Sequence, residues 1–140
     1  MTADQARARA GEFASPALLG AALPVVDASG RQAAWFVPVI ADGLLLGFVE
    51  LLPDLTHRRT SWFGQPPGSA QGCPPAASWL DATVVAARAS TVVLPDETAA
   101  DPVLSFDGSP DRLAWAVPVV GPSGARVIWV AGDTSWTSPA

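Results

Sequence analysis

The sequence predicts an α+β fold made of two αβββ repeats, each a helix followed by an antiparallel β-meander, related by a pseudo-twofold axis. Three observations carry that prediction. Ala34-Trp35-Phe36-Val37-Pro38-Val39 returns eighty residues later as Ala114-Trp115-Ala116-Val117-Pro118-Val119. Apolar runs are parted by turn signals, above all Asp42-Gly43, a pair suited to the positive φ angles of a tight hairpin. Each half also opens on a hydroxyl residue placed to cap a helix, Thr2 with Gln5 and Ser78 with Asp81, the first a capping box and the second its looser relative.

In chain order, the first repeat spans 1–63 and begins with a helix from about Ala3 to Glu12. A further turn starts at Ser15-Pro16, where proline suits the first helical position, and carries Leu18, Leu19 and Ala22. Three strand-like runs follow, LPVVD, QAAWFVPVI and LLLGFVELL, parted by Ser29-Gly30 and Asp42-Gly43. The Pro- and Gly-rich GQPPGSAQGCPPA marks a connector over 64–77. The second repeat, 78–140, offers a helix from Trp79 to about Ala89, then PVLSF, RLAWAVPVV and ARVIWVA, parted by DGSPD and GPSG. A third echo closes the halves, Thr60-Ser61-Trp62 and Thr134-Ser135-Trp136 at an offset of 74, with PDLTHRR as the extra residues of the first half.

Alternation along a strand assigns faces. Trp35, Val37 and Val39 share one, as do Trp115, Val117 and Val119, and this face is expected beneath the helix. The other carries Phe36 and Ile40 in the first half, Ala116 and Val120 in the second, and LLLGFVELL is apolar on both sides. Such strands need cover on both faces: the other repeat, a second copy of the chain, or a ligand. Pro38 and Pro118 cannot donate to a ladder, so the neighbouring strand is expected to fall short of them.

Composition narrows the function classes. Of 140 residues, 49% are hydrophobic and 15% charged, which is the composition of a folding chain and not a disordered one. The net charge of −5 with scattered arginines argues against nucleic acid and anionic membranes as partners. The single cysteine excludes an internal disulfide and a cysteine-based zinc site. No stretch reaches the ~20 apolar residues of a membrane span and the amino terminus lacks a signal core, so the chain reads as soluble, cytoplasmic unless an export signal once preceded it.

The pieces ADQARARA, Trp35 with Val37, Trp115 with Val117, and the third-strand stretches GFVELLPDLT and VIWVAGDT resemble a PepSY-type domain, a small αβββ module. The resemblance covers both halves and not the connector, and it departs in lacking glycine after the Asp and in placing proline inside the W-x-V strand. It implies association with proteins or peptides at the cell envelope or with peptidases, and no catalytic residues.

Among polar candidates, Asp54, His57, Arg58 and Arg59 form the densest group in an otherwise apolar half. The arginines could clamp a carboxylate or phosphate with the histidine tuning it, against the reading of a solvated turn. Phe36, Trp62 and Trp136 are candidate aromatic contacts. His57 and Cys73 are the one imidazole and one thiol, without the strand-to-helix elbow that presents a nucleophile. Asp107-Gly108-Ser109-Pro110-Asp111 lacks the bidentate glutamate of a calcium loop. The leading expectation is a non-catalytic module, without cofactor or metal, that binds a protein or peptide, or its own copy as a homodimer, through Phe36, His57, Arg58, Arg59, Trp62 and Trp136. The alternative is a carrier or sensor of a small apolar ligand in a tryptophan-lined cavity, and a third class is an enzyme using His57 or Cys73.

Overall fold

Thr2 caps the first helix as its spacing requires. Its Oγ1 accepts from the Gln5 N–H at 3.2 Å and its own N–H donates to Gln5 Oε1 at 2.8 Å. The computed structural model describes residues 1–140, which divide into two units, Met1–Ala76 and Ala77–Ala140. The first holds α1 (Ala3–Ala10), a 3-10 turn (Pro16–Leu18), and strands β1 (Leu23–Val26), β2 (Gln32–Ala41), β3 (Leu44–Leu51) and β4 (His57–Trp62). These strands form one antiparallel sheet in the order β1-β2-β3-β4.

The second unit takes in α2 (Ala76–Leu80) from its second residue onward and α3 (Ala82–Ser90), followed by β5 (Thr98–Ala99), β6 (Val103–Phe106), β7 (Leu113–Gly121), β8 (Gly124–Ala131) and β9 (Thr134–Pro139). The helix expected unbroken from Trp79 divides at Asp81, whose extended backbone and carboxylate cap α3 through the Thr83 N–H at 2.9 Å. Asp81 and not Ser78 is therefore the cap of the longer helix, and Ser78 is buried within α2. The sheet runs β5-β7-β8-β9, with β6 also on β7.

Each half thus carries more strand than the αβββ expectation. The sheets hold four and five strands: HRRTSW adds an edge strand to the first, and TSWTSP and the two-residue β5 add two to the second. HRRTSW and TSWTSP each have a tryptophan as the single hydrophobic residue, so neither shows an apolar alternation to read. The shared TSW falls at different places in these strands. Trp62 stands opposite Gly47 on β3, whereas Trp136 stands opposite Trp129 on β8.

The prolines have a specific backbone solution. Pro38 accepts from the Gly20 N–H at 2.9 Å and Pro118 from the Ala100 N–H at 2.8 Å. A residue's N–H and C=O leave an antiparallel strand on the same side, so each missing donor faces the first strand of its sheet. There the neighbour is interrupted, not ended: Leu19 bridges Val39 before β1 resumes at Leu23, and β5 pairs Val119 and Val120 before β6 resumes at Val103. The neighbouring strand passes the proline by breaking in two.

The helix-side cores follow the alternation. Ala6 and Ala10 of α1 pack with Trp35, Val37, Val39, Val49 and Leu51. In the second unit α3 packs on β7 and β8, where Val85, Ala89, Val117, Val119, Ile128 and Val130 are buried. The connector is fastened to the β2–β3 hairpin through Leu45 N–H to Pro74 C=O and Ala76 N–H to Gly43 C=O, each 2.9 Å, and residues up to Ala76 belong to the first unit.

Candidate interaction surface

On the sheet faces turned away from the helices, the two units differ in what stands at equivalent-looking positions of the W-x-V-P-V strand. In the first unit that face is filled. Phe36 and Phe48 stack at 4.6 Å, and the Arg59 guanidinium lies 5.3 Å over Phe48. Glu50, directly opposite Arg59 in register, is 2% exposed. It accepts from Arg59 Nε at 2.8 Å and Arg58 Nη1 at 3.0 Å. The carboxylate these arginines hold is thus the chain's own, and a buried carboxylate so bonded by two cations is compensated where an isolated one would be costly.

In the second unit the same face carries alanines at 114 and 116, and indoles lie against them. Trp129 and Trp136 stack with centroids 6.4 Å apart. Trp129 Nε1 donates to Ser138 Oγ at 2.8 Å and Trp136 Nε1 to Asp107 Oδ2 at 2.7 Å. Arg112 covers the Trp136 ring at 5.4 Å. This end of the face is closed and its polar atoms are paired. Past it the strand continues without cover: Pro118 is exposed, and Val120 and Val103 are 60% and 41% exposed. Val103 pairs Ala116 and Pro118 pairs Val127, so Val103, Pro118, Val120 and the half-buried Val127 sit on one side of neighbouring strands.

The six residues expected as contacts are dispersed by their strands. Phe36 is 1% exposed and is core. Trp62 packs half-buried on the α1 core, over Gly47, where an added Cβ would run into the Ser61 carbonyl and the Trp62 ring. His57 stacks on Phe13 at 4.0 Å and its Nε2 meets Thr60 Oγ1 at 2.9 Å. Arg58 and Arg59 serve Glu50, and Trp136 belongs to the closed end of the second face. Cys73 Sγ donates to the Ser69 carbonyl at 3.2 Å, so thiol and imidazole each have a local partner. No three His, Cys, Asp or Glu side chains gather as a metal site. A cleft of about 420 Å³ opens beside α1, lined by residues between Asp4 and Leu19, none of them aromatic.

Sequence reasoning passed over Glu50, Val103 and Pro118 as surface-defining residues. The usable signal was strand alternation, which puts Pro118 and Val120 on the same face as Ala116; Ala116 itself is covered by the indoles.

Elsewhere in the second unit a bidentate pair ties the loop after α3 to β8. Arg126 Nε and Nη2 donate to Glu97 at 2.8 and 2.6 Å, and Nη2 also reaches the Val92 carbonyl at 3.0 Å. The Arg126 bonds, then the Leu94 N–H, bring Glu97 down from 4.5 to about 2.

Comparison of the chain with protein-family models finds no match, and comparison with curated proteins and with solved structures finds no significant one. The functional reading therefore rests on the chain's own residues. No helix is long and apolar enough to cross a membrane.

Proposed function

We propose that the chain is a non-catalytic binding module built from two copies of one PepSY-like unit, and that the second copy's open sheet face docks an apolar protein or peptide segment. One observation carries the reading, the exposed run of Val103, Pro118 and Val120 on a single side of β6 and β7. Isolated exposed apolar residues are ordinary, but adjoining ones rimmed by polar groups mark interaction sites. The face is a sheet surface and not a hollow, which suits a polypeptide better than a small molecule, whose sites are concave.

Support for the duplication comes from register. Leu23, Pro24 and Val25 pair Phe36, Trp35 and Ala34, and eighty residues on Val103, Leu104 and Ser105 pair Ala116, Trp115 and Ala114. The proline carbonyls accept from Gly20 and Ala100 at the same offset. After duplication, Phe36 with Glu50 and its arginines completes one face, while Ala116 with Trp129 leaves part of the other open. The helix lying on the W-x-V face is consistent with the PepSY-type resemblance, and the fourth strand extends it.

The test is selection from a random displayed-peptide library against the wild-type chain, with counter-selection on the Val103→Asp/Val120→Arg variant. Both side chains are exposed, so the variant keeps its fold by circular dichroism. Enrichment of apolar peptides that bind wild type and lose affinity for the variant supports the reading. Failure of enrichment, or peptides indifferent to the two substitutions, contradicts it.

A further inference from the structure

We infer that β9 is a self-pairing edge, at which two copies of this chain join their second-unit sheets antiparallel about a twofold axis at Trp136. The inference is independent of the open face described above.

Edge strands expose unpaired backbone groups, and proteins blunt them with charge, bulges or interruptions. The other edges here carry such devices. β4 holds Arg58 and Arg59 and shifts register opposite Glu50 and Leu51, β1 is short and has a register shift, and β5 with β6 make a broken edge. β9, TSWTSP, has no charged residue, and its pairing to β8 runs from Thr134 to Pro139 without a shift. In a chain of net charge −5, a strand without charges of its own, whose Trp136 neighbours Arg112 and Asp107 pair with each other at 3.7 Å, is where two copies approach with least repulsion.

The turn fixes which backbone groups are free. Ala131 and Thr134 flank the two-residue Gly132-Asp133 turn, with Gly132 at φ 60°, and so form a hydrogen-bonded pair. By alternation Trp129 and Trp136 form the next such pair, leaving the N–H and C=O of Ser135 and Thr137 turned outward. Pro139 is also outward, where its missing donor costs β8 nothing.

An antiparallel partner centred on Trp136 sets Ser135 opposite the partner's Thr137, and every outward donor of the pair finds a carbonyl. Centring on Thr137 would set Ser135 against the proline of the partner and leave Ser135 C=O unbonded. The Trp136-centred register also places the two Trp136 residues as a non-hydrogen-bonded cross-strand pair, the closer kind, beside the Trp129 ring each already stacks on.

The test is sedimentation equilibrium over a concentration series combined with amide hydrogen exchange on the full chain. The expected result is a dimer in which Ser135 and Thr137 amides gain protection as concentration rises. Thr137→Pro removes an outward donor and none of the bonds to β8, and weakens the dimer by roughly tenfold or more. Thr137→Lys, which keeps the donor and sets two like charges diagonally across the twofold axis, weakens it in the same direction should the proline variant lose its fold. A chain that stays monomeric at every concentration, or a dimer in which both amides exchange freely and both variants associate like wild type, overturns the inference.

Discussion

Removing Glu50 and removing its two arginines should have different costs, although both break the same contacts. The Glu50 side chain is 3% exposed while Arg58 and Arg59 are 27% and 26% exposed. In the Arg58→Ala/Arg59→Ala variant the carboxylate stays behind, buried without a cation, a situation that costs ~3–5 kcal/mol. Loss of the Arg59 contact with Phe48 adds about 0.5–1 kcal/mol. In Glu50→Ala, by contrast, two guanidinium groups on flexible stems swing the short distance to water, and the cost falls to the charge-assisted hydrogen bonds, ~1.5–3 kcal/mol. Replacing all three by Leu and Met of similar volume should come close to wild type, since a buried ion pair seldom outperforms well-packed apolar side chains. Urea unfolding followed by circular dichroism and tryptophan fluorescence yields the differences at constant slope. If Glu50→Ala destabilises as much as the double arginine variant, the carboxylate is not the desolvated partner and the reasoning fails.

Further outcomes follow from single contacts. Gly47→Ala drives a Cβ into the Ser61 carbonyl and the Trp62 ring and should lower stability by ~1–3 kcal/mol, read as a fall in the thermal midpoint. Trp115→Phe and Trp35→Phe delete equal volumes, but Trp115 Nε1 donates to the Trp79 carbonyl at 2.6 Å whereas Trp35 Nε1 is buried without a partner; the first should cost more by about 1–2 kcal/mol in the same unfolding assay. Glu97 titrates near 2 when folded and near 4.5 when free. Its folded value is the lower one, so its contribution is complete above pH 4.5 and fades as pH falls towards 2. Arg126→Ala should lower stability at neutral pH and flatten the acid limb between those values, measured by unfolding at stepped pH.

Much of the fold was legible because its signals are short-range. Thr2 with Gln5 capped α1, Asp42-Gly43 turned the β2–β3 hairpin with both φ angles positive, at 53° and 75°, and the Trp35-Val37-Val39 alternation marked the helix side. HRRTSW and TSWTSP were hidden because each has a tryptophan as its single hydrophobic residue, so no period-2 alternation could show in them. Position in the sequence also misled at Trp62 and Trp136, which share a tripeptide yet face Gly47 and Trp129, because His57, Arg58 and Arg59 enter β4 ahead of its TSW whereas TSW opens β9 directly after its turn. The candidate contacts were the least legible part. Arg58 and Arg59 read as free cations until the sheet brought Glu50 opposite, eight and nine residues away, and Phe36 read as accessible until it proved to be core. The exposure of Pro118 and Val120 was not legible either, because it required knowing that Trp129 and Trp136 cover the face only at Ala114 and Ala116 and that Val103 stands beside it on β6.

The binding reading stands or falls on where a partner's atoms lie. The most direct measurement is the set of nuclear Overhauser contacts between valine methyl groups of the labelled chain and an unlabelled library-selected peptide. Contacts from Val103, Val120 and Val127, with none from Val37 or Val49 in the α1 core, are the predicted result. A peptide that binds yet shows contacts only to first-unit methyl groups would contradict the assignment of the second-unit sheet face.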